Sequence, residues 1–404
     1  MNVNRRLKEQ PTLPPGWRWV ELGEVCEIIA GQSPPGHTYR KAPEGLPFFQ
    51  GKADFGQRHP IPRAWCVEPT KLAKAKDILI SVRAPVGPTN VANQECCIGR
   101  GLAAVRCGNS IEMDFLLFWI KKEESNLERK GSGSTFGAIN RKELEDFAVP
   151  LPPLSEQKRI AAILDEQTGA VEKARAAAEA QLEAAKALPA AYLGQVFPKE
   201  GQELPPDWRW ARLGNTATLL PSKSIATEGD VEVQAVTTAC LTEGGFSYDG
   251  IKTGHMRAKD VPMCILNPGE ILIARSNTAE LVGRVSLYKG AANQIVASDL
   301  TIRIRTAHDV HPEFLTNYLS FLFISGYWRS KAGGASGSMK KITRPHIENL
   351  QVPVCEMAEQ KHIAAVLNEQ MASTERLRND IEKQLHEINS LPAALLRRAF
   401  NGEP

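Results

Sequence analysis

Two kinds of hydrophobic patterning alternate along the chain. Across residues 1–154, and again across 201–357, short apolar and β-branched runs are broken by Gly and Pro. DILISV (77–82), IGRGLAAVR (98–106), EILIA (270–274) and LTIRIR (300–305) have the composition of strands. IEMDFLLFWIKKEE (111–124) and PEFLTNYLSFLFI (312–324) read as buried helices that follow them. From Ser155 the period becomes helical, with Pro152 and Pro153 ahead of it and Ser155 as its expected N-cap. Apolar or small residues, with Gln167 in register, then fall by threes and fours at Ile160, Leu164, Gln167, Val171, Ala174, Ala178, Leu182, Ala185 and Leu188. A second helical segment repeats the steps at Ile363, Leu367, Gln370, Thr374, Leu377, Ile381, Leu385, Ile388 and Leu391.

The alternation reflects a long internal repeat. LPPGWRWVELG (13–23) recurs as LPPDWRWARLG (204–214), and SEQKRIAAILDEQ (155–167) as AEQKHIAAVLNEQ (358–370). GSGSTFGAINR (131–141) matches GASGSMKKITR (334–344), AVPLP (148–152) matches QVPVC (351–355), and LPAAYL (188–193) matches LPAALL (391–396). Between these anchors the halves diverge, apart from echoes such as DILI (77–80) and GEILI (269–273). Repeats of this order point to duplication of a whole unit. The expected fold is α+β: globular blocks at 1–154 and 201–357, separated by two long antiparallel helices at 155–200 and 358–404, in a pseudo-symmetric tandem repeat.

A sustained seam is what helices need to pack along their length. Ala174, Ala178 and Ala185 correspond to Leu377, Ile381 and Ile388, so a slim helix is expected against a bulky one. At 1.5 Å per residue, about 34 residues make a rod of roughly 50 Å, long enough to act as a ruler between the blocks.

Composition narrows the class only a little. The chain has 404 residues, 42% hydrophobic and 24% charged, which suits a folded protein of two or more domains. A net charge of +3 does not by itself mark a nucleic-acid binder. No apolar run is long enough to span a bilayer, and the first residues lack the apolar stretch of a secretion signal, so a cytoplasmic protein is expected. The eight cysteines form no C-x-x-C pair and no zinc-finger spacing, which favours reduced, mostly buried thiols.

Catalytic motifs are missing where they would be sought. Gly45 to Ala53 comes close to a P-loop but has one residue too many and no Ser or Thr after Lys52. Ser33-Pro34-Pro35-Gly36 lacks the aromatic residue that stacks on a flipped base in amino-methyltransferases. No Gly-rich S-adenosylmethionine loop, nuclease motif, hydrolytic triad or HExxH is present. The chain is expected to be non-catalytic and to need no cofactor of its own.

The basic residues are unevenly spread. Residues 40–106 hold eleven Lys or Arg against five acids, and 326–347 hold Arg329, Lys331, Lys340, Lys341 and Arg344 with no acid. Such surface suits phosphate contacts, although a solvated basic face has the same composition. Arg40 and Arg58 belong to the first cluster. Side chains able to reach base edges are Gln50, Lys52 and Arg83 in the first block, and Thr237, Thr238, Arg275, Ser276 and Asn277 in the second. The matched Gly/Ser loops add Ser134, Thr135, Arg141 and Lys142, and Ser338, Lys340, Lys341 and Arg344. Each loop runs into a helix start, where backbone N–H groups favour an anion; Asn140 and Glu143 have capping-box spacing there. The Trp17/Trp19 and Trp208/Trp210 pairs repeat with the helices, so a structural role is expected for them.

The doubled order of LPPGWRWVELGEV, the Gly/Ser loop and VPLPPLSEQKRIAAILDEQ resembles the specificity subunits of type I restriction–modification enzymes, over essentially the whole chain. That resemblance implies two target-recognition domains, each reading one half of an asymmetric site in double-stranded DNA, with the helices fixing the gap. It also implies partners: methyltransferase subunits that bind S-adenosylmethionine and modify adenine, and restriction subunits that use ATP and Mg. The chain departs from the family at Phe136 and Met339, where the loop often carries Gln, which removes a polar contact from those positions. A tandem-repeat adaptor that binds protein partners through its coiled coil is the alternative.

Overall fold

A computed structural model of the chain describes residues 12–132, 137–292, 294–333 and 339–401. It divides into two compact units, one formed by the residues up to Ala178 with those from Gln384 onward, the other by Glu179–Lys383. Each unit therefore holds one globular block and a stretch of both long helices, Leu154–Val196 and Met357–Phe400.

In the first unit a four-stranded antiparallel sheet runs in the order Cys26–Ala30, Leu102–Cys107, Ile78–Ser81, Thr89–Val91. The unbroken apolar run Ile78-Leu79-Ile80 follows from burial on both faces. Ile78 and Ile80 pack with the helix Met113–Lys122, whereas Leu79 turns the other way onto Phe49 and Ile98. Those two residues belong to a second sheet, in which Leu46–Phe49 lies parallel to Cys96–Ile98. The helix 113–122 is buried over Phe115–Ile120, and the Glu112 carboxylate caps it by accepting the Phe115 N–H at 2.7 Å.

The second unit repeats this plan. Its four-stranded sheet has the order Ala217–Leu220, Thr301–Thr306, Ile271–Ala274, Val285–Leu287. Ile271 and Ile273 pack on one side with the helix Pro312–Ile324, while Leu272 and Ala274 face the other. Val231–Val236 pairs in parallel with Val296–Ala297, as Leu46–Phe49 does with Cys96–Ile98. Four stretches read as strands, DILISV, IGRGLAAVR, EILIA and LTIRIR, are strands in the fold, the second of them split by a turn at Gly99–Gly101.

The short echo DILI/GEILI marks a shared buried carboxylate that pairs with an arginine. Asp77 accepts from Arg106 at 2.8 and 3.0 Å, and Glu270 accepts from Arg305 at 2.7 Å, each acid leading the central strand and each arginine on the returning one. The second unit adds Arg303, 2% exposed, which donates to Glu270 and to the carbonyls of Pro221, Met263 and Ile265. A buried charge is tolerable only when its hydrogen bonds are met in this way.

The repeated SEQK/AEQK motif is explained by one side chain. Gln157 and Gln360 are both fully buried. The Gln157 amide donates to the carbonyls of Ser110 and Pro152 and accepts the Glu112 N–H; the Gln360 amide does the same with Asp309, Cys355 and His311. Each glutamine thus ties the start of a long helix to the loop before the buried helix of its block. The repeated tryptophans are structural as expected: Trp17 packs edge-on against Phe115 and Trp208 against Phe314.

The long helices correct several expectations. The first begins at Leu154 rather than after a Ser155 cap, because the Pro153 carbonyl already accepts the Gln157 N–H. It continues through Pro189 to Val196, 43 residues or about 65 Å, and the second passes Pro392 in the same way. A proline inside a helix costs about 3 kcal/mol; burial of Leu193 and Phe197 in the second unit, and of Leu396 and Phe400 in the first, offsets it. Phe400 packs on Phe115 and Trp119 at 5.3 and 5.1 Å, and Phe197 packs on Phe314 and Tyr318 at 5.3 and 5.5 Å. Each block is completed by the last turn of the helix from the opposite repeat.

Of the seam residues, Ile160, Leu164, Val171, Ala178, Leu367, Ile381 and Ile388 are buried, and Leu182, Ile363 and Leu385 are half-buried. Gln167 and Leu391 are exposed, and so, contrary to expectation, are Ala174 and Leu377. The seam takes a four-residue step at that turn: Val171, Arg175, Ala178, Leu182 and Ala185 in one helix, Thr374, Arg378, Ile381, Leu385 and Ile388 in the other. The half-buried arginines occupy the places a three-residue step would have given to Ala174 and Leu377, with their apolar stems covering the seam.

Candidate nucleic-acid interface

The two blocks carry the same backbone scaffold at one edge. In the first, Phe49 pairs with Ile98 at the end of the parallel strands, and a turn follows in which Leu102 N–H donates to Gly99 O at 3.0 Å. Val82 N–H donates to Gly101 O at 2.9 Å, and Ile139 N–H donates to Val82 O at 2.9 Å, which draws Ala138 alongside Arg83. In the second block, Val236 pairs with Ala297 and Thr301 N–H donates to Ser298 O at 3.1 Å. Arg275 N–H donates to Leu300 O at 2.8 Å, and Ile342 N–H donates to Arg275 O at 2.8 Å. Here the added segment becomes a short strand, with Ser276 opposite Lys341 and Asn277 opposite Lys340.

The edge gathers side chains that lie far apart in sequence. Gln50, Lys52 and Arg83 are exposed on it in the first block. Gly101 must be glycine there, because a Cβ would stand 2.2 Å from the Gln50 carbonyl oxygen. Thr237, at the position equivalent to Gln50, spends its hydroxyl on Gly250 O at 2.8 Å, and Thr238 opens the short 3-10 turn behind it. Ser276, Asn277, Lys340 and Lys341 complete the second edge, with Arg275 held inward by a 3.5 Å hydrogen bond to Asp299 O.

Other candidates are engaged elsewhere. Arg40 sits on the outermost strand of the second sheet, donates to His37 and Tyr39 carbonyls and pairs with Glu44. Arg58 bridges Asp114 and Asp165, which fastens its loop to two helices. Arg344 donates to the Leu219 and Leu220 carbonyls, fixing the short helix Arg344–Glu348 onto a sheet strand. Arg141 and Lys142 are exposed but paired with Glu145 and Asp146 along their own helix. These placements give Arg40, Arg58 and Arg344 partners within the fold. Ser134, Thr135, Phe136 and Ser338 lie outside the described residues.

At the start of Arg141–Glu145 the expected capping box is present. The Asn140 side chain accepts the Glu143 N–H at 3.0 Å and the Glu143 carboxylate accepts the Asn140 N–H at 2.8 Å, a complete capping box. Two of the orphan N–H groups are met in this way, one of them by a carboxylate of the chain itself. Met339 is exposed.

Among the described residues no group of three or more His, Cys, Asp or Glu is placed to hold a metal ion, and no helix is long and apolar enough to cross a membrane. Burial, aided by Cys97, Asp77 and Glu95, pushes the Cys96 thiol up to about 12, and Cys355 is raised to about 12 by burial and Glu359. These are unreactive structural thiols. Arg100, Asp299 and Leu300 lie on the same edges and were missed by residue-type reasoning; their signal is the shared backbone pattern, visible only once the strands are paired.

Comparison with known proteins agrees with this arrangement. The profile of the family described as type I restriction modification DNA specificity domain matches residues 14–182 and 228–387. The putative type I restriction enzyme MjaX specificity subunit of Methanocaldococcus jannaschii is 45% identical over 152 residues, 37% of this chain and 36% of that one. The EcoKI specificity subunit of Escherichia coli K12 is 24% identical over 97% of this chain and 90% of its own. Among solved structures, the HsdS subunit from Thermoanaerobacter tengcongensis shares the fold at a TM-score of 0.63 and 21% identity, covering 98% of this chain and 100% of that one. A chain of a type I R-M system solved for its complex assembly and conformational transition gives 0.76 at 22% identity, with 98% and 100% covered. Two matched edges on a duplicated scaffold, and a family profile that covers both, place this chain in the type I restriction modification DNA specificity family.

Proposed function

We propose that the chain is the non-catalytic subunit that selects DNA for a type I restriction–modification complex. Each block reads one half of a bipartite, asymmetric site in double-stranded DNA. Methylation and cleavage belong to partners: methyltransferase subunits that bind S-adenosylmethionine, and restriction subunits that use ATP and Mg. The chain itself brings no cofactor to the reaction, and it works in the cytoplasm with its DNA. The long helices serve as docking surface for the partners and as the spacer between 1–154 and 201–357.

The observation that carries this reading is the pair of equivalent edges. Their hydrogen-bonded backbones match, yet the polar side chains they carry differ: exposed Gln50, Lys52 and Arg83 on one, half-buried Ser276, Asn277 and Lys340 with exposed Lys341 on the other. A constant frame with altered polar side chains suits two readers of different base sequences, since sequence is read by groups reaching base edges.

The test is co-expression with the cognate methyltransferase subunit in a methylation-free host, followed by mapping of modified adenines. A split motif with a fixed gap, absent when this chain is omitted, is the expected result. A folded, partner-bound complex that leaves no modified base would defeat the DNA reading and favour a protein-binding adaptor.

A further inference from the structure

The turns that close the two edges differ in a way that bears on which bases are read. Ile98-Gly99-Arg100-Gly101-Leu102 and Ala297-Ser298-Asp299-Leu300-Thr301 occupy the same place, as their strand pairings and hydrogen bonds show. Ile98 pairs with Phe49, and Ala297 pairs with Val236. Leu102 N–H returns to Gly99 O, and Thr301 N–H returns to Ser298 O. The third residue of each turn is then carried between the two segments that form the edge, Gln50 and Arg83 in one block, Thr237 and Ser276 in the other.

At that third position one block holds a cation and the other an anion. Arg100 is exposed, and its guanidinium has no hydrogen bond or ion pair among the described residues; only its backbone N–H is used, donating to Ser33 Oγ at 3.3 Å. Asp299 is steadied by the Ser224 hydroxyl, which donates to Oδ2 at 2.7 Å, and its N–H donates to Lys223 O at 3.0 Å. Its Oδ1 has no partner among the described residues. An acid at this place is a poor phosphate contact, because like charges repel. It is a suitable acceptor for a base amino group, and a free guanidinium is the complementary donor.

We propose that Arg100 and Asp299 are specificity-determining residues at equivalent positions. Arg100 donates to O6 and N7 of a guanine in one half of the site. Asp299 accepts from the N4 amino group of a cytosine in the other. The inference rests on the DNA-reading function proposed above, and adds to it the two positions and the base pair each selects.

The experiment is methylation mapping of the whole complex carrying Arg100→Gln or Asp299→Asn, beside the wild type. Arg100→Gln is expected to relax one G·C position in one half of the motif, with discrimination there falling roughly ten- to hundredfold. Asp299→Asn is expected to relax one G·C position in the other half. The untouched half and the gap stay as in the wild type, which also shows that each variant is folded and assembled. A variant that keeps the wild-type motif overturns the assignment for that residue. So does a variant that loses methylation evenly across all target sequences, the mark of a backbone contact. A wild-type complex that maps no split motif would overturn the function itself, a result distinguishable from either variant failing alone.

Discussion

At the residue scale, the polar side chains that matter most for the fold are the two buried glutamines. Each satisfies three backbone groups from inside the fold. Replacing Gln157 by Leu strands the Glu112 N–H and the Ser110 and Pro152 carbonyls, and orphaned groups cost about 1–3 kcal/mol each, partly relieved by local movement. A loss of about 2–4 kcal/mol is expected for Gln157→Leu in chemical denaturation, and a similar loss for Gln360→Leu. If both variants unfold within about 0.5 kcal/mol of the parent, the glutamines do not hold the helix starts as the hydrogen bonds indicate. The repeated SEQK and AEQK motifs were plain in the sequence, but this role was not. Helical periodicity separates apolar from polar faces; it cannot say that one polar side chain turns inward to a loop 45 residues away in the chain. The intramolecular partners of Arg58 and Arg344 were illegible for a related reason. Residue type names what a guanidinium can bind, while only the tertiary fold decides whether Asp114, Asp165 or a sheet carbonyl reaches it first.

At the element scale, strands and helices were legible wherever one face, or the whole circumference, is uniformly buried. The runs Ile78–Ile80 and Ile271–Ile273 are apolar throughout because successive side chains enter different cores, and the helix 113–122 is apolar all round over Phe115–Ile120 because that stretch is enclosed. The seam of the long helices was legible up to Val171, after which threes and fours are interchangeable in a sequence rich in alanine. The Ala174–Leu377 correspondence was lost at that step. The bounds 155–200 and 358–404 already reach past Pro189 and Pro392; what was illegible is what holds the helix together there, since a proline reads as a stop unless the residues beyond it are known to be anchored. Those anchors supply a prediction. Phe400→Ala removes a ring from the core around Phe115 and Trp119, and Phe197→Ala removes one from the core around Phe314 and Tyr318. Each is expected to cost about 3–5 kcal/mol. Hydrogen exchange should show the loss of protection over 113–122 for Phe400→Ala and over 312–324 for Phe197→Ala. Deprotection of the opposite block in either variant would contradict the crossed completion of the cores.

At the scale of the whole molecule, duplication was legible from the anchors alone, and with it the expectation that two long helices space two readers. Which residues lie on the shared edges was legible in part: Gln50, Arg83 and Ser276 were named from residue type, whereas the equivalence of Arg100 and Asp299 emerges only from the pairing of strands that are distant in sequence. The ruler can be tested by lengthening both helices together. Seven residues add nearly two whole turns, so the seam keeps its face to within about 20°. They also add roughly 10 Å of rise, close to three base pairs of duplex. Inserting one such heptad after Ala178 and another after Ile381 should therefore move the two halves of the methylated motif apart by about three base pairs while leaving the bases of each half unchanged. Three base pairs also rotate one half-site about the duplex axis, so fewer sites will be modified; the readout is the motif and not the extent of methylation. An unchanged gap would mean that spacing is set by the partners and not by these helices. A lengthened gap with altered half-motifs would mean instead that the helix starts, and the glutamines that pin them, help to shape the reading edges.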